Sequence, residues 1–87
     1  MKVIKLDDII EDLRRIKKSG KMLIFGSVLK GGAVPYESDI DLIVTGEIDE
    51  KAYEKIAKKF KVSLSVHRVN EKEIERIKKK IGKFVEI

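Results

Sequence analysis

The stretch FGSVLKGGAVPYESDIDLIV, residues 25–44, decides how this chain folds. It starts at the end of the apolar run KMLIF, crosses a loop with paired glycines and a proline, and ends in the apolar run DIDLIV. Short apolar runs bounded by glycine are typical of buried strands. The stretch therefore predicts two strands, Lys21–Phe25 and Asp39–Val44, joined by an irregular loop with at most one turn of helix.

Amphipathic helices are predicted on both sides of this stretch. Leu6–Lys18 has apolar residues at helical spacing, with Asp7 placed to cap its start and Gly20 just past its end. The same spacing recurs from Ile48 to Phe60, where Asp49 is the expected cap. Each helix thus has one apolar face to bury.

The C-terminal third predicts a strand, a helix and a second strand. Lys61–Val69 alternates apolar and polar residues, as a strand with one polar face does. Asn70 and Glu73 form a variant capping box that opens a helix closed by Gly82. The core stripe of that helix is Ile74, Ile77 and Ile81. Residues 83–87 are expected to form a short edge strand. Strands separated by helices predict an α+β fold, a small mixed β-sheet with helices packed on it.

Length and composition narrow the function classes. At 87 residues the chain is expected to be one domain, residues 1–87, and it has no cysteine for disulfides or thiolate chemistry. No apolar run is long enough to cross a bilayer, and no secretory signal is recognisable, so a cytoplasmic location is expected. Charged residues make up 40% of the chain, a composition that resembles hyperthermophile proteins.

The net charge of +5 favours polyanionic partners such as ATP or RNA. Most lysines, however, fall near predicted helix ends, where cations complement the helix dipole. The three phenylalanines and two tyrosines do not interleave with the lysines as a stacking platform requires. A nucleic-acid partner is therefore possible but is not the favoured prediction.

Two carboxylates mark a candidate metal site. Asp39 and Asp41 are two residues apart on a predicted strand, so both project from the same face, about 6.6–6.8 Å apart along it. Carboxylates placed in this way can converge on hard divalent cations, as in phosphoryl-transfer enzymes. Alternating acids on an exposed strand are also common without any ligand.

The Gly-Ser pair upstream adds a candidate phosphate site. Gly26 and Ser27 directly follow a buried strand, where a glycine lets backbone amides approach a phosphate and the serine hydroxyl donates a hydrogen bond. Lys30 can add a cationic contact, although a lysine in a surface turn is usually only solvated.

In combination, these residues resemble the nucleotidyltransferase superfamily that includes DNA polymerase beta, and within it the minimal nucleotidyltransferases. The shared pattern is Gly-Ser, a glycine-containing loop and Ser-Asp-x-Asp, within residues 25–44. The resemblance covers nearly the whole chain and implies the polymerase-beta-type fold. It implies that Gly26 and Ser27 hold nucleotide phosphates and that Asp39 and Asp41 are catalytic residues that bind Mg²⁺. It also implies transfer of a nucleotide, AMP from ATP, to a hydroxyl acceptor, and a helical HEPN-type partner for which the chain acts as an antitoxin.

The chain departs from the family at its third carboxylate, which the family places on a later strand. The strand expected to carry it offers Ser63, Ser65 and His67 on its polar face and no acid. A neutral hydroxyl is a much poorer Mg²⁺ ligand than a carboxylate. His67 is a candidate replacement base, and it equally fits a half-exposed strand residue.

Three functions remain open at this point. The first is an active nucleotidyltransferase. The second is a catalytically impaired module of the same fold that binds a nucleotide or docks a partner, and the missing acid is its main support. The third is a basic RNA-binding domain. Glu37 and Glu47 flank the acidic strand and are further candidates for the metal, although loop glutamates are most often solvated.

Overall fold

The computed structural model describes residues 3–87. In chain order its elements are helix α1 (Leu6–Ile16), strand β1 (Met22–Phe25), a 3₁₀ turn (Ser27–Lys30), strand β2 (Asp39–Val44), helix α2 (Glu50–Phe60), strand β3 (Ser63–Arg68), a second 3₁₀ turn (Glu71–Glu73), helix α3 (Ile74–Ile81) and strand β4 (Phe84–Glu86). Every helix and strand predicted from the sequence is present, with shifts of one or two residues at most ends.

The four strands form one mixed sheet in the order β3-β2-β1-β4. Strand β1 is antiparallel to both of its neighbours, and β2 is parallel to β3. The parallel pair follows from the helix α2 between them, because a helical crossover returns the chain to the same end of the sheet. The predicted α+β fold with a small mixed sheet is confirmed, and so is the edge position of β4.

The two faces of the sheet are covered differently. One face carries Ile24, Ile40, Leu42 and Val44, which are buried with the apolar sides of α1 and α2. The other face carries Leu23 and Ile43, which are buried together with Ile74 of α3. Side chains alternate along a strand, so Asp39 and Asp41 share this second face with Ile43. Because α3 packs at the Ile43 end, Asp39 at the other end is exposed.

Helix ends differ from the sequence predictions in three places. Asp7 does not cap α1, because the N-cap position is Lys5 and no side chain makes a cap hydrogen bond. Asp7 lies in the first turn instead, where its negative charge interacts favourably with the helix dipole. Helix α1 ends at Ile16, and Gly20 belongs to the turn before β1. The capping box at Asn70 is also wrong, because its side chain makes no cap hydrogen bond and a 3₁₀ turn precedes α3.

Other helix ends agree with the predictions. Asp49 caps α2, its carboxylate accepting a hydrogen bond from the Ala52 amide at 3.3 Å. Gly82 ends α3 with φ +75°, a conformation that glycine adopts readily. Within residues 3–87, every helix is too short or too polar to cross a membrane.

Candidate functional site

The parallel pairing of β2 with β3 sets the neighbours of the two aspartates. Asp39 is opposite Ser63, and Asp41 is opposite Ser65. All four side chains lie on the face that α3 covers only in part. The position where the resemblance expects a third carboxylate is therefore occupied by serine, whichever of the two aspartates it accompanies.

The Gly-Ser turn lies beside Asp41 because β1 pairs with β2. Phe25, the last residue of β1, is opposite Asp41. Gly26 has φ +98°, and a Cβ atom at this position would lie 3.0 Å from the Asp41 Oδ2 atom. Both the backbone angle and the space therefore favour glycine. This close approach brings the backbone of the turn and the Asp41 carboxylate to one place.

Ser27 and Lys30 begin and end the 3₁₀ turn that follows. The Leu29 amide donates a hydrogen bond to the Gly26 carbonyl at 3.2 Å. The Val28 side chain is only 2% exposed, so the turn is packed against the core. Gly26, Ser27 and Lys30 are all exposed. The prediction of at most one turn of helix in this loop is confirmed.

His67 lies beside Asp41 rather than beside Asp39. Its Nε2 atom is 3.9 Å from the Asp41 Oδ1 atom, too long for a hydrogen bond. Its ring centroid is 6.3 Å from that of Phe25. The side chain is 56% exposed, which agrees with the half-exposed strand residue that was one of the two expectations.

The oxygen ligands around Asp39 and Asp41 fit a hard divalent cation such as Mg²⁺. Among residues 3–87, no group of three or more histidines, cysteines or acids is arranged to hold a metal ion by itself. Asp39 and Asp41 supply carboxylate oxygens, and their strand neighbours supply neutral hydroxyls. Oxygen ligands suit Mg²⁺, which keeps several ligands from water or substrate phosphate. The residues therefore fit a divalent cation whose remaining ligands come from a bound phosphate.

The two glutamates considered for the metal are in different places. Glu47 follows the Val44 end of β2, away from Asp39, and is exposed. Glu37 is also exposed and lines a cleft together with Asp39.

The same cleft contains residues that the sequence patterns did not connect. Tyr36 and Lys61 are far apart in the chain, yet the Lys61 Nζ atom lies 5.4 Å from the centre of the Tyr36 ring. Pro35, next to Tyr36, indicates a turn. Nothing in the sequence indicates which part of the chain this turn contacts.

Comparison with known proteins agrees with this arrangement. The family model described as "Nucleotidyltransferase domain" matches residues 6–86, which is nearly all of the chain. No curated protein and no solved structure gives a significant match. The matched range contains both the Gly-Ser turn and the Asp-x-Asp strand. This chain therefore belongs to the nucleotidyltransferase domain family, of the polymerase beta-like type, whose members carry out nucleotidyl transfer.

Proposed function

We propose that this protein is a minimal nucleotidyltransferase that transfers AMP from ATP to a hydroxyl group on a second molecule. The observation that carries the proposal is the close approach of the Gly26 backbone to the Asp41 carboxylate, which leaves only 3.0 Å between Asp41 Oδ2 and the place a Cβ would take. It joins a turn suited to phosphate with a pair of carboxylates suited to a divalent cation. Family membership supplies the reaction type and the nucleoside triphosphate substrate.

Each residue of the site has one part in this proposal. The exposed backbone of Gly26 and the hydroxyl of Ser27 hold the triphosphate, and Lys30 adds a positive charge at the end of the same turn. Asp39 and Asp41 hold Mg²⁺. A bound Mg²⁺ neutralises negative charge on the attacking and leaving oxygens.

The chemistry is a single displacement at phosphorus. The acceptor oxygen forms a bond to the α-phosphorus, the bond from that phosphorus to the β-phosphate oxygen breaks, and pyrophosphate leaves with the electron pair. The hydroxyl proton passes to solvent. The chain positions the triphosphate, and the amides of the Gly-Ser turn together with Lys30 face the negative charge that develops on it. The two carboxylates would act indirectly, by holding the cation.

The acceptor is supplied from outside the chain. The resemblance to minimal nucleotidyltransferases suggests an antitoxin that modifies a helical HEPN-type partner protein. That partner is one acceptor to be tested, beside nucleotide acceptors.

Labelled ATP provides the direct test. The protein is incubated with Mg²⁺, ATP labelled on the α-phosphate, and candidate acceptors, and label transfer and pyrophosphate release are measured. Asp41→Asn is expected to lower the rate at least about 100-fold. The matched control is Glu47→Gln, which removes an exposed acid just past β2 and is expected to leave the rate unchanged. Equal rates for wild type and Asp41→Asn would disprove the proposal.

A second candidate function rests on the two serines. Because Ser63 and Ser65 stand opposite the aspartates, the site has fewer anionic ligands than two metals require. The protein would then bind a nucleotide or dock a partner without turnover. Calorimetry separates the two functions: this alternative predicts Mg²⁺-dependent ATP binding and no pyrophosphate release with any acceptor.

A further inference from the structure

A cleft of about 350 Å³ opens next to Asp39 on the β3 side of the sheet. We call it the Tyr36 cleft; its walls include Tyr36, Asp39, Lys58, Lys61 and Ser63. Asp39 and Ser63 are neighbours in the β2–β3 ladder. The cleft is therefore continuous with the candidate site.

Tyr36 has an unusual backbone conformation for its size. Its φ is +67°, in the left-handed region that bulky residues rarely occupy. The Tyr36 amide donates a hydrogen bond of 2.7 Å to the carbonyl of Lys61, which is itself left-handed at φ +57°. This hydrogen bond joins the loop that carries Tyr36 to Lys61 at the C-terminal end of α2.

The loop around Tyr36 is held by its own hydrogen bonds as well. The amides of Glu37 and Ser38 both donate to the Val34 carbonyl, at 3.1 and 2.9 Å. The Val34 amide donates back to the Ser38 hydroxyl at 2.7 Å. The Tyr36 ring is consequently presented on a preformed loop, which lowers the entropy cost of binding to it.

The ring itself contributes little to the folded core. Tyr36 is 81% exposed, and Val3 is the other large apolar residue with a high exposure among residues 3–87. Residues held in strained backbone conformations cluster at active sites and ligand-binding segments. An exposed ring beside cations is the combination that binds nucleobases by stacking.

The charges around the ring suit an anionic ligand once a cation is bound. Lys58 and Lys61 line the cleft, together with the acids Glu37 and Asp39. In the proposed function Asp39 is neutralised by Mg²⁺. The two lysines then outweigh Glu37, and the cleft favours a negatively charged group.

The position of the cleft matches the side from which an acceptor approaches. Gly26 and Ser27 lie on the β1 side of the carboxylates, and the cleft lies on the β3 side. Attacking and leaving oxygens are roughly in line in phosphoryl-type transfer. If the triphosphate occupies the Gly-Ser turn, pyrophosphate leaves toward β1 and the acceptor hydroxyl enters from β3.

We propose that the Tyr36 cleft is the acceptor subsite, and that it takes a nucleotide whose base stacks on Tyr36 and whose phosphate meets Lys58 and Lys61. The nucleotide is either free or the end of a nucleic-acid strand. The proposal rests on the proposed function for the direction of approach. Tyr36 is accordingly the residue that selects acceptors with a planar, anionic group.

Binding without turnover tests this subsite separately from catalysis. Fluorescence anisotropy is measured with a short, labelled single-stranded oligonucleotide in the presence of Mg²⁺. ATP is left out, so no transfer can occur, and both aspartates of the cation site stay intact. Tyr36→Ala is expected to weaken binding about tenfold and Tyr36→Phe less than about twofold, because the stacking surface is lost only in the first. Asparagine adopts the left-handed backbone conformation more readily than most residues, so Lys61→Asn is expected to fold. It is expected to lower the slope of log binding affinity against log salt concentration by about one, the loss of one phosphate contact.

Controls and competitors make the outcome decisive. Lys72→Gln, at an exposed position in the 3₁₀ turn after β3, is the matched loss of a charge outside the cleft, and the circular dichroism melting curve of each variant verifies folding. Displacement of the probe by a nucleoside monophosphate identifies a free nucleotide as the ligand; displacement by unlabelled strand alone identifies a strand end. Equal affinities for wild type and Tyr36→Ala would overturn the proposal. It would also be overturned if Tyr36→Ala weakened ATP binding instead, or if a partner protein received the label at a rate independent of Tyr36.

Discussion

Asp41 on β2 is the direct neighbour of Ser65 on the parallel strand β3. A carboxylate at position 65 would therefore stand beside Asp41 on the same face. Ser65→Asp is expected to lower the free energy of unfolding by roughly 0.2–1 kcal/mol without a cation, because like charges face each other across the ladder. With Mg²⁺ present the loss is expected to disappear. Thermal melts with and without Mg²⁺ measure both effects.

Ser65→Asn is the control for the Ser65→Asp experiment, because it changes size in the same way without adding charge. It is expected to show no response to Mg²⁺ beyond that of wild type. An unchanged response of Ser65→Asp to Mg²⁺ would contradict a cation between these two strands.

Gly26 is expected to be required for nucleotide binding as well as for the fold. Gly26→Ala places a Cβ against the Asp41 carboxylate at a positive φ. We expect a loss of unfolding free energy on the order of 1 kcal/mol. We also expect roughly tenfold weaker Mg²⁺-dependent ATP binding by calorimetry, equivalent to one charge-assisted hydrogen bond.

Gly31→Ala is a matched control in the same loop. Gly31 also has a positive φ, +138°, but a Cβ there meets no atom within 4 Å. Its stability loss is expected to be similar, while ATP binding stays at the wild-type level. Equal ATP affinities for the two variants would mean that the Gly26 backbone has no part in binding.

The left-handed backbone at Tyr36 predicts an order of stability. Tyr36→Ala and Tyr36→Gly both remove the exposed ring, but only glycine adopts φ +67° without steric cost. Tyr36→Gly is expected to be more stable than Tyr36→Ala by about 1 kcal/mol in urea unfolding. If alanine were as stable as glycine, the backbone at residue 36 would not be left-handed in solution.

The contact between α3 and β4 predicts a pH-dependent contribution to stability. The Lys78 Nζ atom lies 3.0 Å from the Glu86 carboxylate. Its hydrogen bond lowers the pKa of Glu86 below the ordinary 4.5 and raises the pKa of Lys78 above 10.5. A lowered acid pKa stabilises the fold above the ordinary value, and this stabilisation is lost as pH falls through the folded-state pKa.

Glu86→Gln measures that contribution. At about pH 7 the variant is expected to melt at most a few degrees below wild type, since exposed ion pairs contribute little. At about pH 2 the difference is expected to be smaller than at about pH 7, because Glu86 of the wild type takes up a proton as the pH falls through its folded-state pKa. A difference that is the same at both pH values would assign the effect to packing rather than to charge.

Element types were predictable because local patterns determined them. The apolar spacing within a few neighbouring residues was enough to predict the helices α1 and α2. Short apolar runs were likewise enough to predict the strands β1 and β2. The Asp49 cap was also predictable, since its hydrogen bond spans three residues. The cap expected at Asp7 failed because α1 starts at Leu6, which places Asp7 inside the first turn. The cap expected at Asn70 failed because a 3₁₀ turn separates this residue from α3.

For the candidate site, the sequence by itself determined the residue types and their phase along the strand. The spacing of Asp39 and Asp41 is enough to put both on one face, and the Gly-Ser pair after β1 is enough to identify the turn. The absence of an acid in β3 was also visible in the sequence.

Only the tertiary structure decided which of these residues meet. The pairing of β2 with β3 set Ser65 beside Asp41, and the pairing of β1 with β2 set Gly26 against the same carboxylate. Tyr36 met Lys61 because the loop before β2 packs on the end of α2. These contacts join segments distant in the chain, and they depend on sheet register and helix packing, which local sequence periodicity does not specify.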